Sequence, residues 1–111
     1  MNAGEGAIAT VTRSSERERV ERGAALLSER RPDWYWNVNL SDLDIQSLKR
    51  CVLGQLYGSY NVGLSELNLR AYNEDRHHGF DAYAENYSRE ALLVLTDEWC
   101  RVITELRAAN P

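Results

Sequence analysis

The strongest periodicity lies near the C-terminal end of the chain. Leu92, Leu95, Trp99, Val102, Ile103 and Leu106 recur at steps of three and four, the spacing of one face of an α-helix. Arg89, Asp97, Glu98, Arg101, Glu105 and Arg107 fall on the opposite side. Ser88 stands where a capping hydroxyl is needed, so the pattern predicts an amphipathic helix over 88–108. Near the other end, Val20, Ala24 and Leu27, with Leu26 beside them, form a narrower stripe that predicts a helix from about residue 14 to Arg30. Ser14 or Ser15 is the expected cap, and Ser15 with Glu18 fits a Ser-x-x-Glu capping box. Glu18 and Arg22 form a favourable pair one turn apart. Pro32 closes this helix, because the residue before a proline avoids the α region.

Between these two elements the pattern is shorter and less regular. Leu48, Cys51, Val52, Leu56 and Tyr57 share one side of a helix over 44–57, and Gly58 suits the left-handed position that ends it. Val62, Leu64, Leu67 and Leu69 predict a turn or two of helix over 61–69, and a further short helix over 72–78 ends at Gly79. Residues 32–46 read as loop, with a short extended piece over 36–40 and one 3₁₀ turn begun by Ser41 or Asp42. Residues 80–87 carry no decided pattern. Residues 1–13 are small and weakly patterned and read as a flexible N-terminal tail, which leaves 14–111 as a single helical domain.

The expected fold is therefore all-α, an irregular bundle of four to five helices with a long C-terminal amphipathic helix lying across 44–57. Its expected core is Val20, Leu27, Trp34, Leu48, Val52, Leu56, Leu64, Leu67, Leu92, Leu95, Trp99, Val102 and Ile103. Gly54 sits inside a patterned helix, where glycine costs about 1 kcal/mol relative to alanine. Close approach of the C-terminal helix, through Trp99 or Leu95, is the expected reason.

Composition narrows the function classes. The 111 residues are 43% hydrophobic and 27% charged, which fits one globular domain. The net charge of −4 is uneven: residues 1–32 carry six Arg and five Glu, and the remainder carries the acidic excess. An acidic body disfavours a general nucleic-acid binder. Two cysteines make no disulfide framework, so a reducing, cytoplasmic setting is expected. No apolar run approaches the roughly 20 residues that span a bilayer, and Met1 to Arg13 does not pattern as a signal peptide.

Few residues point to chemistry. His77, His78, Cys51 and Cys100 lack the close ligand pairs of zinc sites, so no metal or cofactor is expected. Both cysteines fall on or beside apolar faces and read as small buried hydrophobes. His78, before Gly79, complements a helix C-terminus. The 53–58 stretch, Leu-Gly-Gln-Leu-Tyr-Gly, lacks the Gly-Lys-Ser/Thr ending of a phosphate loop. Trp34-Tyr35-Trp36 is the most unusual segment. Aromatic clusters fill cores and also anchor interfaces. In an extended piece Trp34 and Trp36 face one way and Tyr35 the other.

Five stretches together resemble a group of small proteins of actinobacteriophages and their actinobacterial hosts. They are Arg22-Gly-Ala-Ala-Leu-Leu27, Pro32-Asp-Trp34, Cys51-Val-Leu-Gly-Gln-Leu-Tyr-Gly58, His78-Gly-Phe-Asp81 and Leu95-Thr-Asp-Glu-Trp99, the last followed by Val102 and Ile103. The likeness covers scattered blocks of about 19–107, and the 51–58 block is the specific part. Trp36 and the doubled His77–His78 lie outside the pattern. The likeness implies a phage or prophage origin and a cytoplasmic role in the bacterial host, and it implies no particular activity.

The expected function is that of a non-enzymatic accessory protein that binds another protein, a host factor among the options, with self-association a further form of partner. Trp34, Tyr35, Trp36 and His78 are the candidate binding residues. Two alternatives compete with this reading. One is a helix-turn-helix-like DNA-binding regulator through 44–70, using Lys49, Arg50 and Arg70. The other is a small enzyme using His78 with Asp81 or Cys51.

Overall fold

The structure is a computed structural model that describes residues 13–81 and 88–111. The expected tail over 1–13 lies outside the described residues except at Arg13, which already belongs to the first helix, and the undecided stretch over 80–87 lies outside them from residue 82 on. The described residues form an all-α fold of five helices: α1 (Arg13–Arg30), α2 (Val52–Tyr57), α3 (Tyr60–Glu66), α4 (Glu74–His77) and α5 (Arg89–Ala109), with 3₁₀ turns at Trp34–Asn37 and Leu40–Asp42.

The two long helices form the spine. α1 buries Val20, Gly23, Ala24 and Leu27 at three- and four-residue steps, and α5 buries Ala91, Leu95, Trp99, Val102 and Ile103. These stripes face each other, so α5 lies mainly along α1 rather than across 44–57. The partner of α5 is set by matching length: a 21-residue apolar face is covered by an 18-residue helix, not by a six-residue one. Glu16 and Glu98 are buried at 2% exposure on the same two helices. Glu98 accepts from Arg101 at 2.7 Å, and Arg101 also reaches Glu21 on α1 at 3.1 Å and Glu105 at 2.8 Å. Buried charge is tolerated when paired in this way. Ser88 caps α5 through the Ala91 N–H at 3.1 Å, as its position in the sequence predicts. α1 is already helical at Arg13, so Ser14 and Ser15 lie inside it and the expected capping box does not mark its start.

Trp99 is the centre of the core. Its ring stacks on Phe80 at 5.2 Å, meets Trp34 edge-on at 5.9 Å, and its indole N–H donates to the Gly79 carbonyl at 2.7 Å. The 78–80 chain is thereby pressed onto α1. A Cβ on Gly79 would lie 2.9 Å from the Val20 Cα, and one on Gly23 would collide with the His78 carbonyl. Gly79 also holds φ 75°, which glycine adopts at least cost.

The expected helix over 44–57 is realised only in its second half. Asp44 and Ser47 close the first half into a turn instead. Asp44 Oδ1 accepts from Gln46 N–H at 3.0 Å, and Ser47 Oγ accepts from the Lys49 and Arg50 N–H groups at 3.2 and 2.9 Å. The Arg50 guanidinium returns to Asp44 at 3.1 Å. Such short side chains offer the backbone an alternative to helix. α2 therefore starts one residue past Cys51, whose sulfur accepts the Gly54 N–H at 3.2 Å as the cap. The turn rotates Leu48 outward to 58% exposure, which corrects its place in the expected core. Leu92 is only partly buried, and the other expected core residues are buried.

The same turn explains Gly54. A Cβ there would lie 2.5 Å from the Leu48 carbonyl oxygen and 2.5 Å from the Lys49 carbonyl carbon. The constraint comes from the backbone of the 44–50 turn, not from Trp99 or Leu95 as expected. Gly58 takes the predicted left-handed position, φ 92°, and leads through the Ser59 cap into α3.

Four short helical segments receive arginines from the long helices or from Arg31, the residue that follows α1. Arg31, following α1, donates to the Leu56 carbonyl of α2. Arg30 donates to Glu66 of α3 at 3.0 Å, and Arg22 donates to His77 of α4 at 2.9 Å. Arg107 of α5 donates to the carbonyls of Tyr35, at 2.9 Å, and Val38, beside the first 3₁₀ turn. The last carbonyls of a helix have no partner within it, and a cation there also complements the dipole. The long helices thus complete short ones that are too brief to be stable alone.

Candidate functional site

The four residues expected to bind are not brought together on the surface. Trp34 is fully buried and its indole N–H donates to Ser28 Oγ at 3.0 Å. Tyr35 is also buried, against Trp34 at 5.8 Å. The segment is a 3₁₀ turn rather than extended, so consecutive side chains fan by about a third of a turn. Trp34 and Tyr35 both point inward and only Trp36 stays out, at 50% exposure. Trp36 is held from within the chain: its ring lies 5.3 Å from the Arg107 guanidinium carbon and its N–H donates to the Asn110 carbonyl at 3.2 Å. His78 is half-buried, with Nδ1 2.8 Å from the Glu74 carbonyl, at the end of α4.

The residues of the alternative readings are also placed. Lys49 donates to the Gly58 carbonyl at 3.1 Å, Arg50 pairs with Asp44, and Arg70 reaches Ser65 Oγ at 3.2 Å. The second helix of the 44–70 pair is seven residues long. Cys51 is buried, and burial pushes its thiol pKa up, which keeps it protonated. Cys100 is raised for the same reason, with Asp97 adding to it. Among the described residues no group of three His, Cys, Asp or Glu side chains is placed to hold a metal ion.

A concavity lies elsewhere, between the 45–48 turn, α3 and α4. Tyr60, the first residue of α3, donates its backbone N–H to the Leu48 carbonyl at 2.8 Å, tying α3 to the turn. Its hydroxyl donates to Asp75 Oδ2 in the first turn of α4, and Asp75 Oδ1 accepts the Arg76 N–H at 2.8 Å. Two donors therefore fix the orientation of this carboxylate. Burial, then the hydrogen bond to Asp75, raises the Tyr60 pKa far above that of an ordinary phenol, so the hydroxyl stays a donor.

A hollow of about 310 Å³ opens beside this pair, lined by Ile45, Gln46, Ser47, Leu48, Tyr60, Asp75 and Asp81. A second of about 310 Å³ adjoins it, with Leu64, Leu69, Arg70, Tyr72 and Arg76 in its wall and Asp75 and Asp81 again part of the lining. The two carboxylates are thus common to both lobes. Leu48 stands on the first lobe, and Tyr72, 87% exposed, stands on the second.

Sequence reasoning passed over this site. Asp81 stands out in the sequence only as a partner for His78, Leu48 reads as core, and Asp75, Tyr60 and Tyr72 carry no signal of their own. The contacts join residues 12 to 15 positions apart across irregular chain, and no local periodicity encodes them. No family model, curated protein or solved structure matches the chain.

Proposed function

We propose that this chain is a non-enzymatic domain that binds another protein through the double hollow around Asp75 and Asp81. The observation that carries the reading is the pairing of two large exposed apolar side chains, Leu48 and Tyr72, with a two-lobed concavity whose central carboxylate is held by two hydrogen bonds. Isolated surface leucines are ordinary. Here the exposed side chains border hollows and surround an oriented polar group, the arrangement of a binding site with apolar contact and a few fixed polar groups. Rigid placement also lowers the entropic cost of association.

The phage or prophage accessory role, acting on a host factor, is the setting that the sequence resemblance suggests for such a domain. Trp36 is the weaker anchor, because its indole N–H and ring face already have partners in the chain.

The test is affinity capture from lysate with the wild-type chain and with the double variant Leu48→Gln, Tyr72→Ser. Both positions are solvent-facing, so the variant should keep its unfolding free energy within about 0.5 kcal/mol per substitution. The reading expects a specific partner that the wild type retains and the variant loses. Capture that is unaffected by the substitutions, or no specific partner at all, contradicts it.

A further inference from the structure

Four cations surround the exposed face of α3, which is made by Asn61, Val62, Ser65 and Glu66. Arg30 donates to the Glu66 carbonyl at its last turn, at 3.0 Å. Arg70 reaches the Asn61 carbonyl and Ser65 Oγ along its flank, at 3.4 and 3.2 Å. Lys49 donates to the Gly58 carbonyl just before its first turn, at 3.1 Å. Arg31 lies over the Tyr57 ring and donates to the Leu56 carbonyl. All four thus bind uncharged acceptors, and among the described residues none of them is in an ion pair. Glu29 and Asp33 flank Arg30 and Arg31 in the chain without pairing to them. The carbonyl ends of α2 and α3 offset roughly half a charge each. Val62 stands on the same face at 47% exposure, so the cations border an apolar contact.

Resting on the protein-binding reading above for the class of partner, we infer that the partner lays an acidic segment carrying an apolar side chain across the exposed face of α3. A guanidinium has five N–H donors and an ammonium three, so each cation keeps donors after its bond within the chain. A carboxylate matches the planar guanidinium fork, and three arginines offer it. The apolar side chain of the segment covers Val62. Arg70 also lines the second lobe of the hollow, so this surface continues the one on which Tyr72 stands. A nucleic acid fits less well. Of the thirteen basic side chains these four leave nine, against seventeen acidic ones. Phosphates running past a seven-residue helix would meet that acidic remainder.

The experiment is a ¹H–¹⁵N titration of the full chain with three probes: acetyl-Glu-Glu-Leu-Glu-Glu-amide, acetyl-Gln-Gln-Leu-Gln-Gln-amide and a short DNA duplex. Glutamine keeps the shape of glutamate and removes its charge. The Glu probe is expected to shift the amides of Asn61, Val62, Ser65 and Glu66 and the Nε–H signals of Arg30 and Arg70, and to bind more weakly as salt is raised. The Gln probe is expected to bind about tenfold more weakly, the combined effect of a few exposed ion pairs. The duplex should bind less tightly than the Glu probe. Lys49→Gln with Arg70→Gln removes two exposed side-chain contacts and should narrow the gap between the Glu and Gln probes while the fold is kept. Arg30→Lys retains the charge and should retain that gap, which a role in capping α3 alone would not predict. Equal binding of Glu and Gln probes, tighter binding of the duplex, shifts confined to another face, or a gap unchanged in the Lys49, Arg70 variant would overturn the inference. Partner capture that still depends on Leu48 and Tyr72 would in that case leave the protein-binding reading standing and remove only the acidic specificity.

Discussion

The two long helices and the stretch between them are built on different physics. α1 and α5 have continuous apolar stripes, face each other along their length, and carry their charges in pairs around Arg101. The stretch over 33–81 has helices of four to seven residues, two 3₁₀ turns and three non-glycine residues at positive φ, Asp33, Asn68 and Asn73. A helix of that length cannot support itself in water. It persists here because α1, α5 and the residue that follows α1 lend it arginines, and because Gly23, Gly54, Gly63 and Gly79 let chain segments approach closely. Regular structure thus supplies the stability, and the irregular stretch supplies the shape of the candidate site.

Trp99→Ala should break both regions at once. Trp99 touches Trp34 and Phe80 and binds the Gly79 carbonyl, so its loss opens a cavity and orphans a buried acceptor. A cost of about 3–5 kcal/mol is expected in urea unfolding, and an unchanged midpoint would remove the basis for this core. Gly54→Ala separates the regions. Its Cβ would meet the backbone of the 44–50 turn, which cannot yield as a side chain can. A loss of about 1–3 kcal/mol is expected, despite the gain in helix propensity, with the change in amide shifts centred on 44–58. A neutral Gly54→Ala would mean that the turn does not close over α2.

A smaller effect lies in alkaline solution. Tyr60, Tyr57, Cys51 and Cys100 all have pKa values raised in the folded chain, chiefly by burial. Their neutral forms are favoured by folding, so the unfolded chain releases protons first. Stability should hold below the ordinary thiol and phenol range and fall as pH rises through about 9–10 and beyond. Tyr60→Phe should flatten the part of that slope above about pH 10. The chemical-denaturation midpoint against pH measures this, and an unaltered slope in the variant would mean that Tyr60 ionises as readily folded as unfolded.

The long helices were legible in the sequence because their information is local. Three- and four-residue spacing, the Ser88 hydroxyl and Pro32 suffice to locate α5 and the end of α1. The partner of α5 was not legible, since periodicity gives a face but not what covers it. The 44–51 stretch misled for a physical reason: Leu48 and Cys51 keep helical spacing, yet Asp44 and Ser47 bond the backbone into a turn. Gly54 was recognisable as anomalous and its neighbour was not, because that neighbour belongs to the turn. Trp34 was readable as core, whereas Tyr35 and Trp36 exchanged their expected sides when the segment became 3₁₀. The candidate site was the least legible part, since Leu48, Tyr60, Tyr72, Asp75 and Asp81 meet only through irregular chain.

The dependence of the short helices on borrowed arginines is tested most directly by native-state hydrogen exchange on the wild type and on Arg31→Ala. Arg31 caps α2 at Leu56 and lies over the Tyr57 ring at 4.9 Å. In the wild type, the amides of α1 and α5 should exchange last, and those of α2 to α4 should open at lower free energy. In Arg31→Ala, the opening free energy of α2 should drop by about 1–2 kcal/mol, with α1 and α5 unchanged. Uniform loss of protection across all five helices, or no change in α2, would contradict the division of the molecule into a self-supporting pair and a stretch that it completes.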